Sequence, residues 1–190
     1  MRIIAGTHKG RVLASPTWDG LRPTSDRLRE TLFNVLAGRI SGASVLDVCA
    51  GTGAIALEAL SRGAATATCL DSDARALRLI AANAAQCGLE KRCIIVGGTA
   101  PEALTREHIG GPFDLVVLDP PYAVPWIGDA VAAAGRLLAA GGLVVLEHSS
   151  RRDAPEPDGL RLERTRRAGD SALSTYRPVA DTDGRGPHEP

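Results

Sequence analysis

The sequence predicts an α/β fold: a mostly parallel seven-stranded sheet that ends in a C-terminal antiparallel hairpin and is preceded by a small N-terminal β-hairpin. Three observations lead there. Residues 44–71 read as strand, glycine turn, helix and a second strand closed by an acid. Further apolar runs follow, separated by helical periodicity, which makes a parallel sheet with right-handed crossovers. From Leu160 onward the pattern becomes alternation with no helix between the runs, which makes an antiparallel pair.

In chain order, Arg2 to Gly6 and Arg11 to Leu13 are short apolar runs with glycines between them, the pattern of a hairpin. Thr24-Ser25-Asp26 offers N-cap candidates and a first-turn acid, and Leu28, Leu32, Val35 and Leu36 then share one helical face. Val45 to Val48 reads as a strand buried on both faces. Ala54 to Arg62 is helical and stops at Gly63, and Ala67 to Leu70 is the second strand. Asp73 to Gln86 is a second crossover helix, Cys93 to Val96 a third strand, and Pro101 to Thr105 a short helical piece. Asp114 to Leu118 is the fourth strand. Ile127 to Ala140 reads as a helix closing on Gly141-Gly142, before a fifth strand from Leu143 to Leu146 with Glu147 at its end. The expected organisation is an extension over 1–23, a main domain over 24–179 and a disordered tail over 180–190, where from Asp181 only Gly, Pro and polar residues remain.

At 190 residues the chain fits one domain, and 3% aromatic content makes its core aliphatic and alanine-rich. Its 22 basic and 22 acidic residues cancel, which argues against a sequence-blind nucleic-acid binder. The charge is uneven all the same. Residues 1–30 carry six bases against three acids, a net +3, while residues 31–150 carry eight against eleven, a net −3. The four cysteines form no C-x-x-C and no cluster with histidine, so buried thiols in a reducing compartment are expected, without a metal site. No apolar run approaches membrane length and no targeting segment opens the chain, so a cytoplasmic location is expected.

The glycine turn, Asp47-x-Cys49-x-Gly51-x-Gly53, differs from a dinucleotide fingerprint. A third glycine is missing, and an acid just ahead of the turn repels a pyrophosphate. That acid suits a cationic ligand, directly or through water, and can hold the loop's amides. Asp71, at the tip of the second strand, can accept both hydroxyl hydrogens of a ribose. The turn resembles motif I of the class I S-adenosylmethionine (SAM) methyltransferases, with Cys49 at the usual first glycine as in the amino-methyltransferase branch.

Asp119-Pro120-Pro121-Tyr122 leaves the fourth strand at the same carboxyl edge. Consecutive prolines remove two amide donors and keep the backbone extended, so that the Pro120 carbonyl can stand beside the Asp119 carboxylate. Two such acceptors suit an exocyclic nucleobase amine, whose lone pair is delocalised into the ring. Holding its hydrogens favours the tetrahedral form and frees the lone pair to attack a methyl carbon in line. Tyr122 can stack on a base turned out of its helix.

Three blocks, RIIAGTHKGRVL with LRPTSDRLRETLFNVL, VLDVCAGTGAIALEALSRGA and LDPPY, resemble the RsmD family of bacterial 16S ribosomal RNA guanine-N2 methyltransferases. The resemblance implies a Rossmann-like class I fold and methyl transfer from SAM to one guanine of 16S rRNA. The substrate would be the 30S subunit or its assembly intermediate, with no membrane and no metal, and the protein a monomer. It implies that Thr24 and Asp26 hold the methionine end of SAM, above Asp47 and the loop of Cys49, Ala50, Gly51, Thr52 and Gly53. Asp71 would take the ribose, Ser72 the adjoining edge, and Gly98 and Thr99 the adenine; Asp119, Pro120, Pro121 and Tyr122 would be catalytic, Asp119 also touching SAM. Arg2, Lys9, Arg11 and Arg22 become candidates for RNA phosphate. The alternatives are an amino-methyltransferase of DNA adenine or cytosine, and a non-catalytic SAM- or RNA-binding assembly module.

Overall fold

The computed structural model describes residues 1–18, 25–122 and 124–179. Thr24, Arg22 and the expected tail over 180–190 lie outside the described residues. The chain forms α1 (Asp26–Val35), β1 (Ser44–Val48), α2 (Ala54–Ser61), β2 (Thr66–Asp71), α3 (Ala74–Cys87) and β3 (Cys93–Gly97). It continues through α4 (Arg106–Ile109), β4 (Phe113–Leu118), α5 (Ile127–Gly135), β5 (Leu138–Ser149), β6 (Leu160–Ala168) and β7 (Ser171–Pro178). The strands form one seven-stranded sheet in the order β3-β2-β1-β4-β5-β7-β6. The first five run parallel, β7 lies antiparallel to β5, and β6 is antiparallel to β7.

This order reverses direction between β1 and β4, which opens a crevice beyond their carboxyl ends. β1, β2 and β4 are buried on both faces, whereas the equally apolar β3 is an edge strand with Ile94 51% exposed. On one face Val45, Val117 and Val145 pack against α1, α2 and α3; on the other Leu46, Val116 and Val144 pack beneath α5. Every residue of α2 is buried, as befits a helix covered on all sides.

What covers α2 from outside is the N-terminal segment. Arg2 and Val12 form a single antiparallel bridge, flanked by bonds from Ile3 N to Arg11 O and from Gly10 N to Ile3 O, both 2.9 Å. The hairpin is thus minimal, and Ile3 and Leu13 belong to the main core, at 0% and 1% exposure. Glu58 of α2 accepts from the amides of Ile4 (2.7 Å) and Ala5 (3.0 Å), while Ser61 accepts from His8 N and donates to Ala5 O. Gly6 is required in this contact: a Cβ there would stand 2.0 Å from Ser61 O, and its φ is +85°.

Two expectations shift. Leu138-Ala139-Ala140, strong helix formers expected to extend α5, belong to β5 instead. Leu138 pairs with Phe113, and residues 139–142 stand opposite the single Asp114 before Leu143 pairs with Leu115. Sheet pairing outweighs a propensity of a few tenths of a kcal/mol per residue. The short helical piece begins later than expected, at Arg106, because Thr105 supplies the N-cap by accepting from His108 N.

Candidate active site

The loops after β1, β2, β3 and β4 surround one cavity of about 720 Å³, a volume suited to a nucleoside-sized ligand. Cys49, Ala50, Gly51 and Thr52 line it from the first loop, Asp71 and Ser72 from the second, Gly98 and Thr99 from the third, and Asp119, Pro120, Pro121 and Tyr122 from the fourth. The structure therefore brings both sequence motifs to one cleft. The turn itself is tight: Cys49 has φ +62°, and Gly51 and Gly53 have φ +56° and +74°. Gly53 ends the loop as the N-cap of α2, packed on Ile80 rather than facing the cavity.

Asp71 does two structural tasks. One oxygen accepts from Gly51 N at 2.8 Å and the other from Asp73 N at 2.9 Å, so it ties the glycine loop to the start of α3. Each carboxylate oxygen keeps a second lone pair, and the pair that remains can accept ribose hydroxyls. Asp47 lies behind the loop, 1% exposed, with one oxygen accepting from Ala56 N at 3.1 Å and the other unbonded among the described residues. Its place is under the loop and not in the cavity wall. Burial pushes its carboxyl well above the ordinary aspartate range, and the negative charges of Asp119 and Asp71 add to that, against the pull of Ala56 N–H. Burial, then the negative charges of Asp71, Asp119 and Asp47, push the Cys49 thiol up to about 12. Burial disfavours charge of either sign, but the carboxylates of Asp71 and Asp119 that add to both shifts also line the cavity, and they attract a cation there.

On the third side, Gly98 N donates to Asp71 O at 3.0 Å, which joins the loops after β2 and β3. A Cβ at Gly98 would lie 2.6 Å from Ala103 Cβ, so no side chain fits there and the backbone alone faces the cavity. Asp26 is not part of the wall: its carboxylate binds the Arg29 guanidinium at 2.6 Å, and Ser25 and Leu28 line the cavity in its stead. Tyr122 is half-buried, its hydroxyl donating to Glu147 Oε1 at 2.7 Å with Ser171 Oγ also at 2.7 Å. Arg2, Lys9 and Arg11 are exposed on the N-terminal segment, away from the lining, and Arg11 donates to Gln86 O at 2.8 Å.

Among the wall residues that sequence reasoning missed, Trp18, Trp126, Glu147 and Ser171 bring aromatic or polar side chains to the cavity. The scarcity of aromatics was the available signal for the first two. Both tryptophans of the chain border this cavity, and Trp18 stacks under the Arg75 guanidinium at 5.1 Å. Glu147 and Ser171 carry no sequence signature, because their strands meet only in the sheet.

The family described as Conserved hypothetical protein 95 matches residues 1–177. Ribosomal RNA small subunit methyltransferase D of Escherichia coli K12 is 36% identical over 185 residues, covering 95% of this chain and 91% of that protein. YlbH of Bacillus subtilis is 30% identical over 183 residues, covering 93% and 98%. Among solved structures, yhhF from Escherichia coli superposes with a TM-score of 0.83 at 34% identity, covering 95% of this chain and 98% of that one. A precorrin-6y C5,15-methyltransferase from Geobacter metallireducens, 17% identical, has a TM-score of 0.63 over 88% of this chain and 93% of its own, a likeness of fold alone.

Proposed function

We propose, from the premise that this chain belongs to the Conserved hypothetical protein 95 family, the RsmD family of the sequence resemblance, that it is an rRNA methyltransferase acting on the N2 amine of a guanine in 16S rRNA. The observation that carries this reading is the convergence of the Cys49–Gly53 turn and the Asp119–Tyr122 loop on one cavity at the switch point of the sheet. The relatives' names support an RNA of the small subunit as substrate. SAM, when bound, supplies a methyl on a positively charged sulfur, and the acidic wall of Asp71 and Asp119 over buried Asp47 fits that charge. Asp71 takes the ribose, Ser72 the edge beside it, and the backbone of Gly98 and Thr99 the adenine.

The amine's hydrogens are held by the Asp119 carboxylate and the Pro120 carbonyl, which frees its lone pair. No strong base is needed, because the proton leaves after the methyl arrives. Most of the acceleration is positional and electrostatic. To test the reading, the protein is incubated with methyl-labelled SAM and 30S particles from a strain lacking the activity, and the digested RNA is analysed for modified nucleosides. N2-methylguanosine at a single 16S position is expected. Label in no nucleoside, or only in methylated adenosine or cytidine, overturns it.

The N-terminal segment supplies phosphate contacts under the same proposal, through the exposed Arg2 and Lys9 and, in part, Arg11. Their side chains take little part in packing, so Arg2→Ala and Lys9→Ala should leave the melting temperature near wild type. For every phosphate that a variant no longer neutralises, the slope of log K against log salt for particle binding should fall by about 0.7–0.9. An unchanged slope in the double variant assigns recognition to another surface.

A further inference from the structure

One buried carboxylate in the cavity holds neither the glycine loop nor the amine. Glu147 lies in β5 beside Asp119, the first residue past β4: Leu118 pairs with Leu146, so the two acids follow as register neighbours. It is 3% exposed, yet it borders the same cavity as Asp119, Pro120 and Tyr122. Its Oε1 accepts the Tyr122 hydroxyl hydrogen at 2.7 Å. Since that single hydrogen is committed, Ser171 must donate to the Tyr122 oxygen across their 2.7 Å contact. Glu147 Oε2 is buried with no hydrogen-bond partner among the described residues. A desolvated carboxylate oxygen without a donor is destabilising, and a ligand that brings a donor relieves it.

The chemistry of nucleobases selects that donor. In adenine and cytosine the ring nitrogen flanking the amine on the Watson–Crick edge is an acceptor. In guanine it is N1–H, a donor, so guanine presents hydrogens from two adjacent nitrogens on that edge. Asp119 and the Pro120 carbonyl account for the amine. Resting on the amine-methylation reading, we infer that Glu147 accepts the N1–H of the target base and is the residue that makes this cleft specific for guanine. Against adenine N1 or cytosine N3 its oxygens would face a lone pair, with both groups desolvated. The Tyr122 hydroxyl already occupies Oε1, so Oε2 is the oxygen left for the base.

The test compares particles reconstituted with guanine or 2-aminopurine at the methylated position. 2-Aminopurine keeps the amine but carries an acceptor at N1. The wild type should prefer guanine on the order of 10- to 100-fold in kcat/KM, the value of one hydrogen bond to a charged group. Glu147→Gln should lose a similar factor on guanine. Its amide can donate to N1 of 2-aminopurine, so the preference for guanine should narrow or invert. If Glu147 only held Tyr122 in place, Glu147→Gln would slow both substrates equally and keep the wild-type ratio, which overturns the inference. A wild type that methylates 2-aminopurine as fast as guanine overturns it without any variant. Failure of the wild type to methylate guanine at all strikes instead at the proposed function, so the two failures are told apart.

Discussion

Asp119→Ala lowers kcat by about 10²–10³-fold while the variant still binds SAM, the expected result if the carboxylate acts on the amine in the transition state. The site's geometry explains the division. Asp119 sits at the tip of β4, where its amide donates to Val48 O at 3.2 Å, and the chain turns immediately into Pro120 and Pro121. Backbone and prolines contribute to the loop's shape, and shortening the side chain removes the acceptor proposed for the amine. The walls proposed for ribose and adenine are tied together through Asp71, which holds Gly51 by its carboxylate and Gly98 by its carbonyl, in bonds that Asp119 takes no part in. Multiple-turnover methylation of 30S particles gives kcat, and calorimetric titration with SAM or its demethylated product gives the affinity. Near-wild-type kcat in Asp119→Ala would make the tetrapeptide a structural exit from β4.

Glu58→Ala is expected to be the most destabilising single change in the described residues of α2. Glu58 is fully buried, and its two oxygens serve the amides of Ile4 and Ala5 and the Arg62 guanidinium at 2.8 Å, with the Arg29 guanidinium at 3.9 Å. Removing it strands two backbone donors and weakens the pairing of Arg29. That guanidinium is itself 0% exposed and keeps, among the described residues, Arg2 O and Asp26. Breaking a buried ionic network by deleting one partner costs about 3–5 kcal/mol. In a chain of this size that lowers Tm by on the order of 10 °C. Thermal melting followed by circular dichroism checks it, and a fall of under about 2 °C would mean that the segment is held by Ile3 and Leu13 alone. The same network makes removal of residues 1–15 a poor probe of RNA binding, because it takes two core side chains and strands Glu58. Exposed substitutions at Arg2 and Lys9 separate the two roles.

Whatever is written in consecutive residues was legible without coordinates. The Asp47–Gly53 turn, Asp71 at the next strand tip and Asp119–Tyr122 after an apolar strand could be placed at one edge without coordinates, because parallel strands joined by crossovers present the same end to the same side. The helical face of Leu28 and Leu32 and the N-cap before it were legible for the same local reason. The tertiary structure alone decided the rest. Glu58 sits in AIALEALS, where an acid reads as solvent-facing, and it is buried because a segment over fifty positions earlier crosses that helix. Arg29 reads as an exposed base and is the largest fully buried side chain among the described residues. Leu138 to Ala140 have the local preference of a helix, overruled by a pairing with Phe113. Tyr122, Glu147 and Ser171 come from a loop and two strands, and no spacing along the chain predicts that the tyrosine oxygen lies 2.7 Å from each of the other two. Periodicity reports which face of an element is apolar, while the partner that makes a buried charge tolerable is chosen only when distant elements pack.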